Sequence, residues 1–573
     1  MNLINTVKIV VAFLAVFVSF GCDDSSSGKD VSDSGTNDAD VLTDKIDVDA
    51  EVPDCTEHFF ETVMIPMDDG EELSAIIRRP LDENCVLPTI LIQTPYGKDN
   101  AKYTWFEGTP GLLFASTDYN FVILDWRGFF GSSDAEPNNS RPHPGYDGAD
   151  TIRWISNQPW SDSNVGTWGV SALCVVQYQT AQEASSSLKA MVPIFCNMNA
   201  NYEQSYPGGV LRREYIDFIQ AYFGGDPALY EAHPYKDLAW DYLGSLYKYT
   251  LIKTPALVVA GWYDLYNPGA YNDFENLVLH SAQEVQDKHR LLAGPWIHHA
   301  TGGEMAMGRL LTEQEKLYLD TEFIIQANSL AFFDLHLRNS GEPQIKKVKF
   351  IPDGELSFFY SDEWPPENVE NKIFYINSEG LGESPSTDGN SLSWQSDPDS
   401  PVPTVGGHTL VAQYTHGPDW QDELLERSDV IYFESELLGK MTVAGRVKVF
   451  LEVSTDAPDT DFVVKLTKIG EDGRHLLITD GVRRLKLRET FATPVEVTSG
   501  EHYIIEIEMT NNSSLTLEEG DRLGLILSSS SFSRFDINPQ NGNDFYYDGD
   551  TTYVSSNYVF FNENTRIEIP VLQ

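Results

Sequence analysis

The sequence predicts an α/β protein built on a parallel sheet, interrupted by a helical insertion and followed by an all-β region. Three observations carry this reading. From residue 89 onward, short apolar runs bounded by turn residues alternate with helical stretches, the pattern of parallel strands joined by crossover helices. Residues 199–250 are aromatic-rich and helical in tendency, and they break the alternation. From about residue 345 the chain becomes a series of short Thr-, Val-, Ile- and Tyr-rich segments punctuated by Gly, Asn, Asp and Pro, as in a β-sandwich or jelly roll.

In chain order, residues 58–68 and 72–79 read as two strands joined by a turn at Asp68-Asp69-Gly70. Residues 89–93 and 121–125 read as strands, 147–157 as a helix, 165–170 as a strand and 173–185 as a helix. Further strands are expected at 191–195, 256–260 and 290–293. A chain of 573 residues exceeds what one core supports. The expected division is a first core segment over 55–198, a cap over 199–250, a second core segment over 251–344 and a β domain over 345–573.

The N-terminus reads as an export signal. Lys8 supplies a basic start, and residues 9–21 form an apolar run shorter than the roughly 20 residues that span a membrane. The run ends in Ser19-Phe20-Gly21-Cys22, which resembles a bacterial lipobox, so residues 1–22 are expected to be a lipoprotein signal peptide with Cys22 lipidated. Residues 23–54 hold eleven acidic and two basic residues and no aromatic. Such a composition cannot bury enough apolar surface to fold, and it reads as a disordered tether. The expectation is a bacterial cell-envelope protein, lipid-anchored, touching the membrane only through that anchor.

The net charge of −48 repels nucleic acid and anionic headgroups, which excludes nucleic acid as a partner class. The remaining cysteines, Cys55, Cys85, Cys174 and Cys196, belong to an oxidising compartment on this reading. Centring the first hairpin on Gly70 places Cys55 opposite Cys85; a disulfide or two buried thiols both fit. Cys174 and Cys196 admit the same two readings.

The chemistry centres on Gly166-Thr-Trp-Gly169-Val170-Ser171-Ala172-Leu173, where a strand ends and a helix begins. A serine on that turn stands above the sheet edge, backed by a helix N-terminus. Leu173 occupies the place of the second glycine of the usual GxSxG elbow. Downstream, Asp264 follows a buried strand in Gly261-Trp262-Tyr263-Asp264, and His298 follows another in Gly294-Pro295-Trp296-Ile297-His298. The order Ser, acid, His is that of an α/β-hydrolase triad. His298 would take the serine proton, and Asp264 would hold the imidazole tautomer. His299 adjoins the base, and the spacing selects His298. Trp262, Tyr266 and Trp296 are candidates for the substrate pocket, core packing being the alternative for each. Asp544, Asp548 and Asp550 sit together in a Gly/Asn loop and read as solvated acids in preference to calcium ligands. No metal or cofactor is expected.

These motifs resemble the cocaine esterase family of serine hydrolases, related to X-Pro dipeptidyl peptidases and α-amino acid ester hydrolases. The resemblance extends through Gln93-Thr-Pro-Tyr96-Gly-Lys98, Asp125-Trp-Arg-Gly-Phe-Phe-Gly131, Asp147-Gly-Ala-Asp150, Asp456-Ala-Pro-Asp-Thr-Asp461 and Arg534-Phe-Asp-Ile-Asn538-Pro. It implies an α/β-hydrolase core with an inserted helical cap and a C-terminal jelly roll. It also implies an oxyanion hole made by the Tyr96 hydroxyl and the Ala172 N–H, and a small ester, amide or short-peptide substrate. Esterase or α-amino acid ester hydrolase action is expected first and Xaa-Pro dipeptidyl-peptidase action second. The latter needs a carboxylate for a substrate ammonium, with Glu203, Glu214, Asp217 and Asp226 available in the cap. A non-catalytic surface binding protein is the remaining alternative, disfavoured by the complete triad.

Overall fold

The computed structural model describes residues 53–107, 113–223, 225–298, 321–344, 346–387, 389–410, 416–547, 549 and 551–573. The expected signal peptide with Cys22, and the tether up to residue 52, lie outside the described residues, as do His299, Asp548 and Asp550.

The first sheet is built from β1 (His58–Pro66), β2 (Glu72–Pro80), β3 (Leu87–Thr94), β4 (Asn120–Asp125), β5 (Ser161–Val170), β6 (Leu188–Ile194), β7 (Leu257–Tyr263), β8 (Arg290–Ile297), β9 (Val348–Phe350) and β10 (Phe359–Ser361). Their spatial order is β1-β2-β4-β3-β5-β6-β7-β8-β9-β10. Neighbours from β4 through β9 run parallel, while β1, β2 and β10 join antiparallel. The strands β4, β7 and β8 are buried almost throughout, as expected where helices cover both faces of a parallel sheet. One face carries α1 (Gly145–Ser156) and α2 (Ala172–Glu183), whose Ile152, Ile155 and Tyr178 join a core cluster with Val122 and Val165. In the cap, α3 (Arg213–Phe223) is the longest helix among the described residues, and α4 (Asn267–His280) follows β7. The other face of the sheet carries α5 (Thr321–Leu337), whose Ile325, Phe333 and Leu337 pack with Ile90, Trp168 and Val192.

From β3 the chain crosses to β4 on one side and then returns to β5 on the other. The loops after β3 and β5 therefore diverge, opening a crevice at the carboxyl ends of these adjacent strands. Tyr96 follows β3 and Ser171 follows β5.

The C-terminal region forms antiparallel sheets of nine and four strands among the described residues, sharing a core that includes Phe374, Val449, Leu451, Val464, Leu525 and Ile567. The strands beyond the expected division at residue 345 do not all join the C-terminal sheets. The β9 and β10 strands extend the hydrolase sheet, β9 in parallel with β8, and the strands of the nine-stranded sheet begin with Val369–Asn377. Strands of three residues carry too little alternation to reveal which sheet they join.

The first hairpin pairs His58 with Pro80 and Pro66 with Glu72, so it is centred on Asp69 and not on Gly70. Cys55 and Cys85 lie beyond the ladder ends, where the register does not bind them. The turn after Pro80 brings them together as a disulfide with Cα atoms 5.8 Å apart. Among the described residues, no helix is long and apolar enough to cross a membrane.

Candidate active site

Ser171 sits between β5 and α2 with φ 61° and ψ −119°, a backbone conformation that costs a non-glycine residue of order 1–3 kcal/mol. Its surroundings hold it there. The Ser171 N–H donates to Ile194 O on β6 at 2.9 Å. Gln177, one turn and a half into α2, is buried and donates through Nε2 to the carbonyls of Gly169, Leu173 and Val192. Its Oε1 accepts from the Val192 N–H at 3.1 Å and the Thr167 hydroxyl at 3.1 Å. This side chain ties the strand before Ser171 to the helix after it and to the neighbouring strand. Leu173 replaces the customary glycine without displacing the turn, because Gly169 yields the space: a Cβ there would lie 2.4 Å from Leu173 Cβ. A Cys174–Cys196 disulfide, with Cα atoms 6.0 Å apart, links the first turn of α2 to the chain leaving β6.

His298 lies just beyond β8, and its Nε2 is 3.0 Å from Ser171 Oγ. Its Nδ1 is 2.7 Å from Asp264 Oδ1. Asp264 is fully buried and His298 nearly so, so this chain of hydrogen bonds runs in a medium of low effective dielectric, where each bond is stronger than in water. With Nδ1–H donated to the carboxylate, Nε2 presents its lone pair to the Ser171 hydroxyl.

Tyr96 faces the same point from the other side. Its hydroxyl lies against the Ser171 side chain and the backbone N–H of Ala172. Burial pushes the phenol up to about 12, and those two hydrogen bonds oppose the shift; the group is a neutral donor at physiological pH. The loop that carries it is fixed by Asp125 at the end of β4. That buried carboxylate accepts from Lys98 N–H at 2.6 Å and Gly131 N–H at 3.0 Å, and it pairs with Lys98 Nζ at 3.1 Å. The Asp147 and Asp150 motif is likewise structural: Asp147 pairs with Arg127 at 2.7 Å, and Asp150 with Arg141 and Arg153, each at 2.5 Å.

The structure separates the three pocket candidates. Tyr266 reaches the site, with its ring 5.4 Å from that of His298 and a hydrogen bond to Tyr215 of the cap. Trp262 and Trp296 do not line a pocket. Trp262 is 2% exposed, donates to Ile351 O at 2.8 Å and stacks on Trp364 at 5.3 Å. Trp296 is completely buried in the core cluster with Phe195 and Trp168. Both belong to strands buried on two faces, where side-chain alternation gives no sign of which face is functional.

Of the cap carboxylates, Glu214 is buried and ion-paired with Arg212 at 3.2 Å, and it accepts from the Leu410 N–H at 3.4 Å. Burial raises its pKa, against the pull of Arg212 and Arg534. Glu203 pairs with Lys236 at 3.3 Å on the exposed side. Asp217 lies 3.9 Å from Arg213, and Asp226 caps a short helix by accepting from the Ala228 N–H. Asp544, from the acidic loop near the C-terminus, pairs with Lys486 at 2.8 Å and accepts from the Tyr235 hydroxyl. Among the described residues, no group of three His, Cys, Asp or Glu side chains is arranged to hold a metal.

Several supporting residues gave no signal in the sequence. Gln177 is one, and the acid-loop partners Asn267, Asn511 and Asn512 are others. Asn267 Nδ2 donates to Gly261 O at 2.8 Å.

Two family models match the chain: "X-Pro dipeptidyl-peptidase (S15 family)" over residues 69–225 and "X-Pro dipeptidyl-peptidase C-terminal non-catalytic domain" over 343–560. The chain is 30% identical over 551 residues to the cocaine esterase of Rhodococcus sp. (strain MB1 Bresler), an alignment covering 84% of this chain and 92% of that protein. Among solved structures it resembles an aminopeptidase from a marine sediment Thaumarchaeota archaeon, with TM-score 0.77, 23% identity, and coverage of 92% and 100% of the two chains. An α-amino acid ester hydrolase matches with TM-score 0.74, 22% identity, and the same two coverages. At these identities the two structures speak for the fold.

Proposed function

The chain belongs to the cocaine esterase family of serine hydrolases, and from that premise we propose that it hydrolyses a small ester through an acyl-serine intermediate on Ser171. The single observation that supports this most is the placement of His298 Nε2 and Nδ1 within hydrogen-bond reach of Ser171 Oγ and Asp264 Oδ1.

In this reading Ser171 Oγ attacks the substrate carbonyl while its proton passes to His298 Nε2. The carbonyl electron pair moves onto oxygen, and the resulting oxyanion meets the Tyr96 O–H and the Ala172 N–H. Collapse of the tetrahedral species breaks the bond to the alcohol, which leaves with the proton held by His298. Water, activated by the same imidazole, then attacks the acyl-serine and releases the acid. Asp264 holds the imidazole tautomer and stabilises the imidazolium.

Esters are favoured over Xaa-Pro peptides by the state of the cap carboxylates. A substrate α-ammonium needs an uncommitted anion in the site. Glu214, the buried one, is already matched by Arg212, and Glu203 is matched by Lys236. A panel of p-nitrophenyl esters set against Xaa-Pro and aminoacyl anilides tests this. The expected order is higher kcat/KM for the esters, and faster turnover of Xaa-Pro anilides would reverse the assignment.

The N-terminal sequence supports the second part of the proposal. Export followed by lipidation at Cys22 would place the enzyme in a bacterial cell envelope, tethered through residues 23–54.

A further inference from the structure

The acid of the triad is anchored from the far end of the chain. Asn511 lies in the turn between the strands Tyr503–Glu508 and Ser513–Leu517, is 1% exposed, and donates through Nδ2 to Asp264 O at 2.7 Å and to Trp262 O at 3.2 Å. Asn512 continues the clamp: its N–H donates to Asn267 Oδ1 at 2.9 Å. Inside the loop, the Asn267 N–H donates to Asp264 O at 3.1 Å, and the Asp264 N–H to Gly261 O at 3.2 Å. The backbone of the acid loop is therefore pinned at residues 261, 262, 264 and 267, in part by the Asn511 side chain, 247 residues from Asp264 in sequence.

The carboxylate itself is held differently. Asp264 Oδ1 faces His298, while Oδ2 is buried and has no hydrogen-bond partner among the described residues. Apart from His298 itself, no side-chain donor reaches this carboxylate among the described residues. Its direction is set by the backbone that carries it, and one amide bonded to that residue's own carbonyl comes from the C-terminal domain. Gly417, also from that domain, packs on Ile297, the residue before the base: a Cβ on it would lie 3.0 Å from Ile297 Cγ2.

We propose that Asn511 is a positioning residue for the triad acid, so that the C-terminal domain, described in the matching family as non-catalytic, is part of the frame that makes the triad competent. This rests on the acyl-serine reading above. Misplacing a reacting group by about 1 Å can cost on the order of 100-fold in rate, and loss of the Asn511 donor leaves the carboxylate free to shift by such a distance.

The test compares full-length Asn511→Ala and Asn511→Asp with the parent, using stopped-flow acylation by a p-nitrophenyl ester. The alanine removes the donor, and the aspartate keeps the shape while replacing the amide's two N–H donors with at most one O–H. The expected result is a burst rate about 10- to 100-fold lower, with burst amplitude and KM within about twofold of the parent. A purely structural role would lower amplitude or thermal stability and leave the rate per competent site intact, and that outcome overturns the proposal.

A second measurement needs no variant. Hydrogen exchange of the parent protein across a denaturant series should show the Asp264 and Asn267 amides opening together with the Asn512 amide, while β3–β5 amides stay protected. If the acid loop remains protected after residues 510–513 have opened, the clamp does not set its geometry. Full activity in Ser171→Ala would instead remove the acyl-serine reading itself, so the two failures are distinguishable.

Discussion

Tyr249 donates its hydroxyl to Asp273 Oδ1 at 2.7 Å. The other carboxylate oxygen accepts from the Met198 N–H at 2.6 Å. Met198 and Tyr249 stand at the two ends of the inserted cap, and Asp273 lies on α4 directly after the acid loop. One buried carboxyl thus holds both feet of the insertion to the core.

Burial pushes that carboxyl up to about 7, against hydrogen bonds from Tyr249, Met198 and Tyr178. In the unfolded chain it titrates near its ordinary value of 3.8. Between these values the folded state holds a proton that the unfolded state has released, so this group's contribution to stability falls as pH rises through that window. The slope is at most about 1.4 kcal/mol per pH unit. Asp273→Asn removes the titration and keeps an acceptor for Met198. Calorimetric Tm measured from pH 4 to 7 should decline less steeply in the variant than in the parent; parallel curves would show that Asp273 is ionised in the fold.

Tyr96→Phe keeps the ring and its packing and deletes the hydroxyl that faces Ser171 and Ala172. A donor that acts on the oxyanion should cost roughly 10² to 10³ in kcat, about 2.7 to 4 kcal/mol. KM should change little, because the ground-state carbonyl hardly uses the bond. A kcat within about threefold of the parent would mean that Ala172 N–H works with a different donor.

The two disulfides differ in what they constrain. Cys55–Cys85 ties the first hairpin across a separation of 30 residues and should contribute roughly 3 kcal/mol through the unfolded chain. Cys174–Cys196 joins the helix after Ser171 to the chain leaving β6, and its loss should reach the turn that carries Ser171. In protein made under oxidising conditions, non-reducing peptide maps should show both pairs. Cys55→Ser should lower Tm with kcat unchanged, whereas Cys196→Ser should lower kcat as well. Free thiols at all four positions would contradict both assignments.

The lipid anchor has its own readout. Mass spectrometry of protein expressed with its full N-terminus in a bacterial host should find an acylated Cys22 as the first residue. Membrane association that survives Cys22→Ser would assign the attachment to something else.

Much of this architecture is legible in the sequence because parallel strands and crossover helices write different periods into it. The strands around residues 89–93, 121–125 and 256–260 and the helices near 147–157 and 173–185 emerge within a few residues of the observed elements. Ser171, Asp264 and His298 were legible because each follows a buried strand in the expected order. What escaped depends on contacts that no local pattern encodes. The hairpin centre moved by one residue because a turn tolerates more than one register, and Trp262 turned inward because β7 is buried on both faces. Gln177 and Asn511 look like ordinary polar residues until the fold places their amides against backbone carbonyls, in the second case 247 residues away.

Ser171 is the acyl-accepting nucleophile of the proposed reaction, and its reactivity can be read directly. A fluorophosphonate probe reacts with a serine whose proton has been taken by a neighbouring base, forming a phosphonyl–oxygen bond and releasing fluoride. Tryptic mass spectrometry should locate a single adduct on Ser171, lost in Ser171→Ala. That variant's ester turnover should fall by about 10⁴ to 10⁶ with the thermal transition unchanged. Labelling at another serine, or a folded Ser171→Ala enzyme that keeps more than a few per cent of parent activity, would contradict this role for Ser171.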